Sequence, residues 1–255
     1  MDINFPFILL CLVLAGTGIW LVDLLWLSKK RMPGQKESAL VENAKSLTPV
    51  LALVFVIRSF LYEPFQIPSG SMERTLLIGD FILVNKYTYG IRLPVIRNKV
   101  FDINEPERGD VMVFFPPHKE QYYIKRVIGL PGDKIRYSSD KRLYINGQLV
   151  AENLLGDVPG SLGSAKLYQE KLGSVEHLIR KEMSRYQVDS AGAWTVPAGH
   201  YFMMGDNRDN STDSRYIHEV GFVPLENFIG RAETVVFSMG DGISLRLDRF
   251  LQKIR

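Results

Sequence analysis

Two hydroxyl residues flank a glycine in the segment Ser69-Gly70-Ser71, and a single lysine lies in the apolar run around Lys125. A serine hydroxyl is a poor nucleophile until a base removes its proton, and a lysine can act as that base only where burial disfavours its ammonium form. Side chains alternate along a strand, so Lys125 would share one face with Tyr123 and Val127. Lowering a lysine pKa from about 10.4 towards 7–8 costs roughly 3–5 kcal/mol, which an apolar pocket can supply. These residue types predict a nucleophilic serine activated by a neutral lysine.

Each of these segments also has an ordinary interpretation. Pro-Ser-Gly-Ser is typical of a plain turn, and strand lysines usually point into solvent. A third polar segment, 205–216, lies between hydrophobic runs and could be a solvated loop; it lacks the glycine and glutamate positions of a calcium loop. The histidines share no metal-site spacing, so ordinary polar roles are favoured over a zinc or Ser-His enzyme; they are His118, His177, His200 and His218.

The elements that would position these residues are mostly short strands. Apolar runs punctuated by turn residues begin near Phe81, Val111, Tyr122, Leu143, Tyr201 and Thr234, which predicts an all-β, mainly antiparallel domain. Asn146-Gly147 is a strong two-residue hairpin signal, because both residues tolerate positive φ. The exception is an insertion of about 136–194, in which the glycine-broken part 151–192 has no assigned conformation. Within it a helical stripe fits apolar residues, namely Leu172, Val175, Leu178, Ile179 and Met183.

The first quarter of the chain is lipid-like. An uncharged run from Phe5 to Val22, followed by Asp23 and four further apolar residues, is long enough to cross a bilayer core of about 30 Å. A second segment, 47–62, is weaker because it contains Arg58, which could reach the headgroups if it lies near a helix end. The loop between them is basic and is expected to stay in the cytoplasm. We therefore predict membrane helices at 1–27 and 47–62, a cytoplasmic loop at 28–46, and an extracytoplasmic β-rich domain at 63–255.

Two alternatives to this topology concern the N-terminal segments. A cleaved secretory signal is disfavoured, because the start carries Asp2 instead of a basic region and Lys29-Lys30-Arg31 follows the apolar run. If the second segment were only a buried or interfacial helix, the large domain would instead be cytoplasmic.

Charge and cysteine content exclude several function classes. The net charge of +3 is modest, and much of the excess lies in the basic loop, so no nucleic-acid partner is expected. The single cysteine, Cys11, lies in the first apolar segment. An intramolecular disulfide and a cysteine-type metal site are therefore excluded, and no cofactor is expected.

Taken together, the chain resembles the bacterial type I signal peptidases, the leader peptidases with a Ser/Lys dyad. The resemblance covers the two spans around a basic loop and four motif segments in matching order, which are 59–72, 79–86, 123–133 and 205–216. The insertion at 151–192 is the part that it covers least. The pattern departs at Arg74, where the family usually has proline, and at 217–220, which adds residues before Gly221.

The resemblance implies a function and a set of site residues. Ser71 would be the nucleophile and Lys125 the general base, with Ser69 and the Ser71 N–H forming the oxyanion hole and Ser211 orienting the lysine. Structural ion pairs would form among Arg126, Asp206, Asp213 and Arg215. The implied activity is removal of signal peptides from exported preproteins after small residues, in an A-x-A-like pattern. Implied partners are signal peptides, membrane lipid and translocation machinery, and the implied location is the bacterial inner membrane, with the catalytic domain on the periplasmic side.

Two other functions stay open from the sequence. One is a self-cleaving Ser/Lys protease of the repressor type, against which the two N-terminal spans speak. The other is a catalytically silent, envelope-anchored β module, for which Arg74 is the only hint.

Overall fold

Two apolar helices precede the β-rich part of the chain. The computed structural model describes residues 5–32, 34–92, 99–101, 103–160, 163–182, 190–240 and 244–255. Helix α1 (Phe5–Val22) continues through a π-helical turn (Asp23–Leu27) into the short helix α2 (Ser28–Lys30), and α3 (Ala39–Val56) continues into a second π-helical turn (Ile57–Leu61). The continuous runs Phe5–Lys30 and Ala39–Leu61 are each long and apolar enough to cross a membrane.

The second helix begins at Ala39, earlier than the span predicted to start at Leu47. Ser38 caps it by accepting a hydrogen bond from the Val41 N–H at 3.4 Å, so the helix extends through residues too polar for an apolar pattern to detect. Helices α1 and α3 approach closely at Gly16, where an added Cβ would lie 2.1 Å from Thr48 Oγ1. Arg58 lies in the π-helical turn that ends this run, with its guanidinium 3.9 Å from the centre of the Phe5 ring.

The chain divides into two compact units, one made of 1–63 with 90–103 and the other of 64–89 with 104–255. The first holds both long helices and the paired strands β3 (Ile91–Arg92) and β4 (Lys99–Phe101). The remaining strands run in chain order as β1 (Tyr62–Gln66), β2 (Asp80–Asn85), β5 (Val111–Phe114), β6 (Tyr123–Gly129), β7 (Lys134–Tyr137), β8 (Leu143–Ile145), β9 (Gln148–Leu149), β10 (Ala151–Gly160), β11 (Gly163–Leu172), β12 (Val175–Lys181), β13 (Gly192–Thr195), β14 (His200–Met204), β15 (Val223–Pro224), β16 (Phe228–Ser238) and β17 (Gln252–Lys253).

The largest sheet of the described residues is antiparallel and has the order β1-β2-β16-β5-β6-β14-β15, with β17 beside β16. Side chains along β5 and β6 point alternately to the two faces of the sheet, and both faces are buried. Ile124 packs with Val111 and Val113 on one side, whereas Val127 packs with Met112 and other apolar residues on the opposite side. Because both faces are covered, a polar side chain in the middle of β6 is held away from water. The prediction of a mainly antiparallel β fold is confirmed.

A second, four-stranded sheet has the order β13-β7-β8-β9 and contains the predicted hairpin. Tyr144 pairs with Leu149 and Ile145 with Gln148 across the turn. The two turn residues have positive φ, 53° at Asn146 and 81° at Gly147, as a type I′ turn requires.

The segment without an assigned conformation is a three-stranded antiparallel sheet, β10-β11-β12. The helical interpretation of 172–179 is wrong, because Leu172 ends β11 and Val175–Lys181 forms β12 around a turn at Gly173, whose φ is 62°. Met183 lies outside the described residues. Apolar residues at 172, 175 and 179 fit a helical period, but pairing with β11 over seven residues determines the conformation.

Candidate active site

Ser71 lies on a short 3-10 turn, Gly70–Met72, between β1 and β2. The turn begins from an extended residue, Ser69, with φ −136° and ψ 155°. Its start is fixed to β2, because the Ile67 N–H donates to the Asp80 carbonyl at 2.8 Å. Met72 is fully buried and anchors the turn in the core, which leaves Ser71 only 8% exposed.

Lys125 lies in the middle of β6, between β5 and β14. Met112 is its cross-strand partner on β5, and the ring of Tyr123 lies on the same side of the strand, with its centre 5.5 Å from Lys125 Nζ. The side chain is 4% exposed. Nζ lies 2.6 Å from Ser71 Oγ and donates to the Ile124 carbonyl at 2.9 Å. Two residues 54 positions apart in the chain are thus in direct contact.

Burial lowers the pKa of Lys125 to about 8. The carboxylates of Asp213 and Asp206 act in the opposite direction, because negative charge favours the ammonium form, and the guanidinium of Arg215 again lowers the pKa. Desolvation on the apolar face of β6 dominates these charges. A pKa near 8 leaves roughly one lysine in ten neutral at pH 7, which is enough for a general base.

The other hydroxyl residue of the turn is exposed. Ser69 Oγ lies 3.5 Å from Ser71 Oγ, at the outer limit of a hydrogen bond. A group in this position can reach a reacting atom that is bonded to Ser71 Oγ without competing with Lys125 for the hydroxyl proton.

Gly205 brings the third polar segment against the nucleophile. A Cβ at this position would lie 2.5 Å from the Ser71 carbonyl oxygen and 2.2 Å from Ser211 Oγ, so only glycine fits. Ser211 is buried, and its hydroxyl interacts with the Asp213 carboxylate, whose pKa this contact helps to lower. The structure places Ser211 next to the turn, but it shows no direct bond from Ser211 to Lys125.

Two buried ion pairs involve the same segment, one that joins it to β6 and one within it. Arg126 donates to Asp206 at 2.9 Å and 2.7 Å, and Arg215 donates to Asp213 at 2.8 Å and 2.9 Å. Burial by itself would raise the pKa of Asp206, but the Arg126 guanidinium holds it below its usual value. Burial alone would likewise raise the pKa of Asp213, but the Arg215 guanidinium holds it below its usual value. The four residues predicted as ion pairs are therefore brought together as two charged, buried pairs.

The chain is similar to known peptidases over most of its length. Residues 40–237 match the family model described as signal peptidase, peptidase S26. The chain belongs to this family. It is 53% identical to signal peptidase I of Pseudomonas aeruginosa over 98% of both chains, and 55% identical to that of Pseudomonas fluorescens over 93% of both. A crystal structure of a signal peptidase I from Enterococcus faecalis covers 51% of this chain and 98% of its own, at 32% identity and a TM-score of 0.33.

These relationships establish the general activity. The chain is a serine peptidase that removes signal peptides, and its two apolar helices fit a membrane-anchored protein.

The structure adds residues at the site that the sequence did not indicate, and most come from the three-stranded sheet. Arg208 binds both oxygens of Glu170, and both side chains are fully buried. His177 lies between Glu170 Oε2 at 3.3 Å and Asp206 Oδ1 at 3.6 Å. Burial, together with the charge of Arg126, holds the pKa of His177 below its usual value. No local sequence signal pairs a residue of 151–182 with the segment 205–216, so these contacts could not be predicted.

The turn after the nucleophile also differs from what a proline would give. Arg74 has φ 89°, following Glu73 at φ −59° and ψ 137°, and the Thr75 N–H donates to the Met72 carbonyl at 3.1 Å. These values are typical of a type II turn with Arg74 at the position that favours glycine. Proline, whose φ is fixed near −65°, cannot adopt this conformation. Proline at position 74 would therefore require a different turn from the one that this chain forms.

Proposed function

We propose that Ser71 and Lys125 form the catalytic dyad of this peptidase. The observation that carries the proposal is the 2.6 Å contact between Lys125 Nζ and Ser71 Oγ in a setting that lowers the lysine pKa to about 8. Neutral Lys125 takes the hydroxyl proton as Ser71 Oγ attacks the scissile carbonyl, and the resulting ammonium then donates a proton to the leaving amine. Water afterwards attacks the acyl-enzyme with Lys125 again as base, which releases the cleaved product and restores Ser71.

Neighbouring groups support this chemistry in three ways. The exposed Ser69 hydroxyl and the Ser71 N–H are suited to stabilise the oxyanion that forms on the scissile carbonyl. Ser211, packed against Gly205, is assigned to orienting the lysine. The pairs Arg126–Asp206 and Arg215–Asp213 hold the loop that carries Ser211, because breaking a buried ion pair leaves an uncompensated charge.

The substrates in this proposal are signal peptides of exported preproteins, cleaved after small residues in an A-x-A-like pattern. The β-rich unit would lie on the periplasmic side of the inner membrane, because the connection between the two apolar helices carries Lys29, Lys30 and Arg31, and short basic loops stay in the cytoplasm. At that position the enzyme would act next to membrane lipid and receive its substrates from the translocation machinery.

The experiment is preprotein cleavage by the full-length enzyme in liposomes. Ser71→Ala and Lys125→Ala should each abolish cleavage with unfolding transitions close to wild type, because each removes half of the activated nucleophile. Ser164→Ala and Lys134→Ala, both on exposed strand positions, are the matched controls and should cleave normally. Turnover by either dyad variant would refute the assignment, and an inactive wild type would favour the silent β module.

A further inference from the structure

Asn207 connects the polar segment to the backbone of the nucleophile turn. Its backbone N–H donates to the Ser71 carbonyl at 3.1 Å, and its side-chain Nδ2 donates to the Gly70 carbonyl at 3.0 Å. The side chain is 1% exposed. The amide must present its nitrogen to this site, because the Gly70 carbonyl and the neighbouring Glu73 carboxylate are both acceptors.

The hydrogen bond from Asn207 Nδ2 to the Gly70 carbonyl also constrains the direction of the Ser71 N–H. The Gly70 carbonyl and the Ser71 N–H belong to one planar trans peptide, so fixing the oxygen also fixes the direction of the N–H. That N–H is one of the two groups assigned above to the oxyanion hole. The Glu73 N–H donates to the same carbonyl at 3.1 Å within the 3-10 turn, and Asn207 adds a side-chain bond from the polar segment. Asn207 therefore helps to fix the orientation of an oxyanion donor.

Two more residues hold Asn207 in place. Glu73 Oε2 accepts from Asn207 Nδ2 at 3.3 Å and also binds the guanidinium of Arg180. Arg180 lies on β12, and its backbone forms a parallel bridge around Asn207: its N–H donates to the Asp206 carbonyl and its carbonyl accepts from the Arg208 N–H, each at 2.9 Å. The other terminal nitrogen of the guanidinium, Nη2, donates to the Pro159 carbonyl at 2.9 Å. The three-stranded sheet thus supports the nucleophile turn through Arg180 and Glu73.

We propose that Glu73, Arg180 and Asn207, hereafter the clamp, are positioning residues that fix the Gly70–Ser71 peptide for oxyanion stabilisation. The proposal rests on the proposed function, since it assumes that Ser71 is the nucleophile. It also gives the three-stranded sheet a role in catalysis, because β12 supplies both the guanidinium and the backbone bridge. Glu73 takes part through its position two residues after the nucleophile and is the most accessible member, with a 37% exposed side chain.

The clamp predicts a specific kinetic pattern in the full-length enzyme with preprotein in liposomes. A group that acts only on the transition state changes kcat and leaves KM nearly unchanged. Removing an oxyanion donor outright costs about 10²–10³ in kcat, so misorienting one through Asn207→Ala should cost about 10–100-fold and Glu73→Ala about 3–10-fold. The rate should still rise with pH through a midpoint near pH 8 as Lys125 deprotonates, because the Lys125 pKa arises from burial and from Asp213, Asp206 and Arg215.

A double-mutant cycle tests whether the residues act as one unit. Adding Glu73→Ala to Asn207→Ala should lower kcat by less than about twofold, because the first change has already removed the side-chain amide through which the Glu73 carboxylate acts on the peptide. Glu219→Ala is the matched control: it removes a carboxylate from an exposed pair with Lys119 and should leave kcat and KM unchanged. Because Asn207 is buried, Asn207→Asp serves as a second variant of the same shape, and it should lose as much kcat since it places a carboxylate opposite the Gly70 carbonyl.

The outcomes separate this proposal from the dyad itself. If Ser71→Ala is inactive but Glu73→Ala and Asn207→Asp keep wild-type kcat, the clamp is wrong and the dyad stands. A raised KM with unchanged kcat in Glu73→Ala would assign that carboxylate to substrate binding and overturn the clamp. Fully multiplicative losses in the double variant would likewise overturn it, and activity in Ser71→Ala would overturn the proposed function.

Discussion

Replacing Lys125 with methionine should abolish activity and yet stabilise the protein at neutral pH. Lys125 is fully surrounded by protein, and burial lowers its pKa from 10.5 to about 8. The unfolded chain binds this proton more tightly than the folded one, so the lysine opposes folding wherever it is protonated in the unfolded state. Methionine has a similar length and no charge, and therefore removes this cost.

The magnitude follows from the shift in pKa. A difference of 2.5 units, at 1.36 kcal/mol per unit, gives a cost of about 3.4 kcal/mol that is fully present below pH 8. Between pH 8 and 10.5 the unfolded state binds more protons, so the wild type gains stability as the pH rises. The cost falls by about 2 kcal/mol between pH 7 and 9.5. Losing the hydrogen bonds to Ser71 and to the Ile124 carbonyl offsets about 1–2 kcal/mol, so the net gain at pH 7 should be about 2 kcal/mol.

Urea unfolding of the full-length protein in mild detergent at pH 7 and pH 9.5 measures this effect. Lys134→Met, at an exposed strand position, is the matched control and should show no pH-dependent difference from wild type. The decisive quantity is the change in the free-energy difference between Lys125→Met and wild type over this pH range. A difference that stays constant would mean that Lys125 has an ordinary pKa, and the reasoning for a neutral lysine base would be refuted.

Three other changes test neighbouring features of the site. Lys125→Arg should be as inactive as Lys125→Ala in preprotein cleavage, because a guanidinium stays protonated; retained activity would show that only a positive charge is needed. Gly205→Ala should lower kcat at least about tenfold and also lower the unfolding temperature, since its Cβ would lie 2.5 Å from the Ser71 carbonyl oxygen; normal turnover would mean that the loop adjusts freely. Arg74→Gly should stabilise the protein by about 0.5–1 kcal/mol in urea unfolding, because its φ of 89° favours glycine, and a loss of stability would contradict the turn assignment.

The apolar surroundings of Lys125 could be anticipated, because their physical cause is local in sequence. Alternation along β6 predicts that Lys125 shares a face with Val127, and the structure places Met112 opposite it on β5. Likewise, Asn146 and Gly147 determine their own turn through backbone preference. The distance between Ser71 and Lys125, by contrast, depends on the sheet order, and only the resemblance to a family supplied that information.

The three-stranded sheet could not be anticipated, because its charges are buried. Arg180 and Lys181 look like solvated residues in the sequence, yet Arg180 binds Glu73 and Lys181 binds Glu152. Periodicity arguments assume that charged residues mark the exposed face, and this assumption fails where each charge has a partner from a distant segment. The segment 205–216 has the same property: Arg208 and Asp209 suggest a surface loop but are both buried.

The buried ion pairs and the neutral lysine are two parts of one electrostatic arrangement. An apolar face lowers the pKa of Lys125, but two carboxylates nearby would raise it again if their charges were uncompensated. Asp213 is bound by Arg215, whose charge itself lowers the lysine pKa, and Asp206 is bound by Arg126. The loop can therefore supply hydrogen-bonding groups next to the nucleophile without forcing Lys125 into its ammonium form. Unpaired carboxylates at these positions would hold the base protonated at the pH at which it must act.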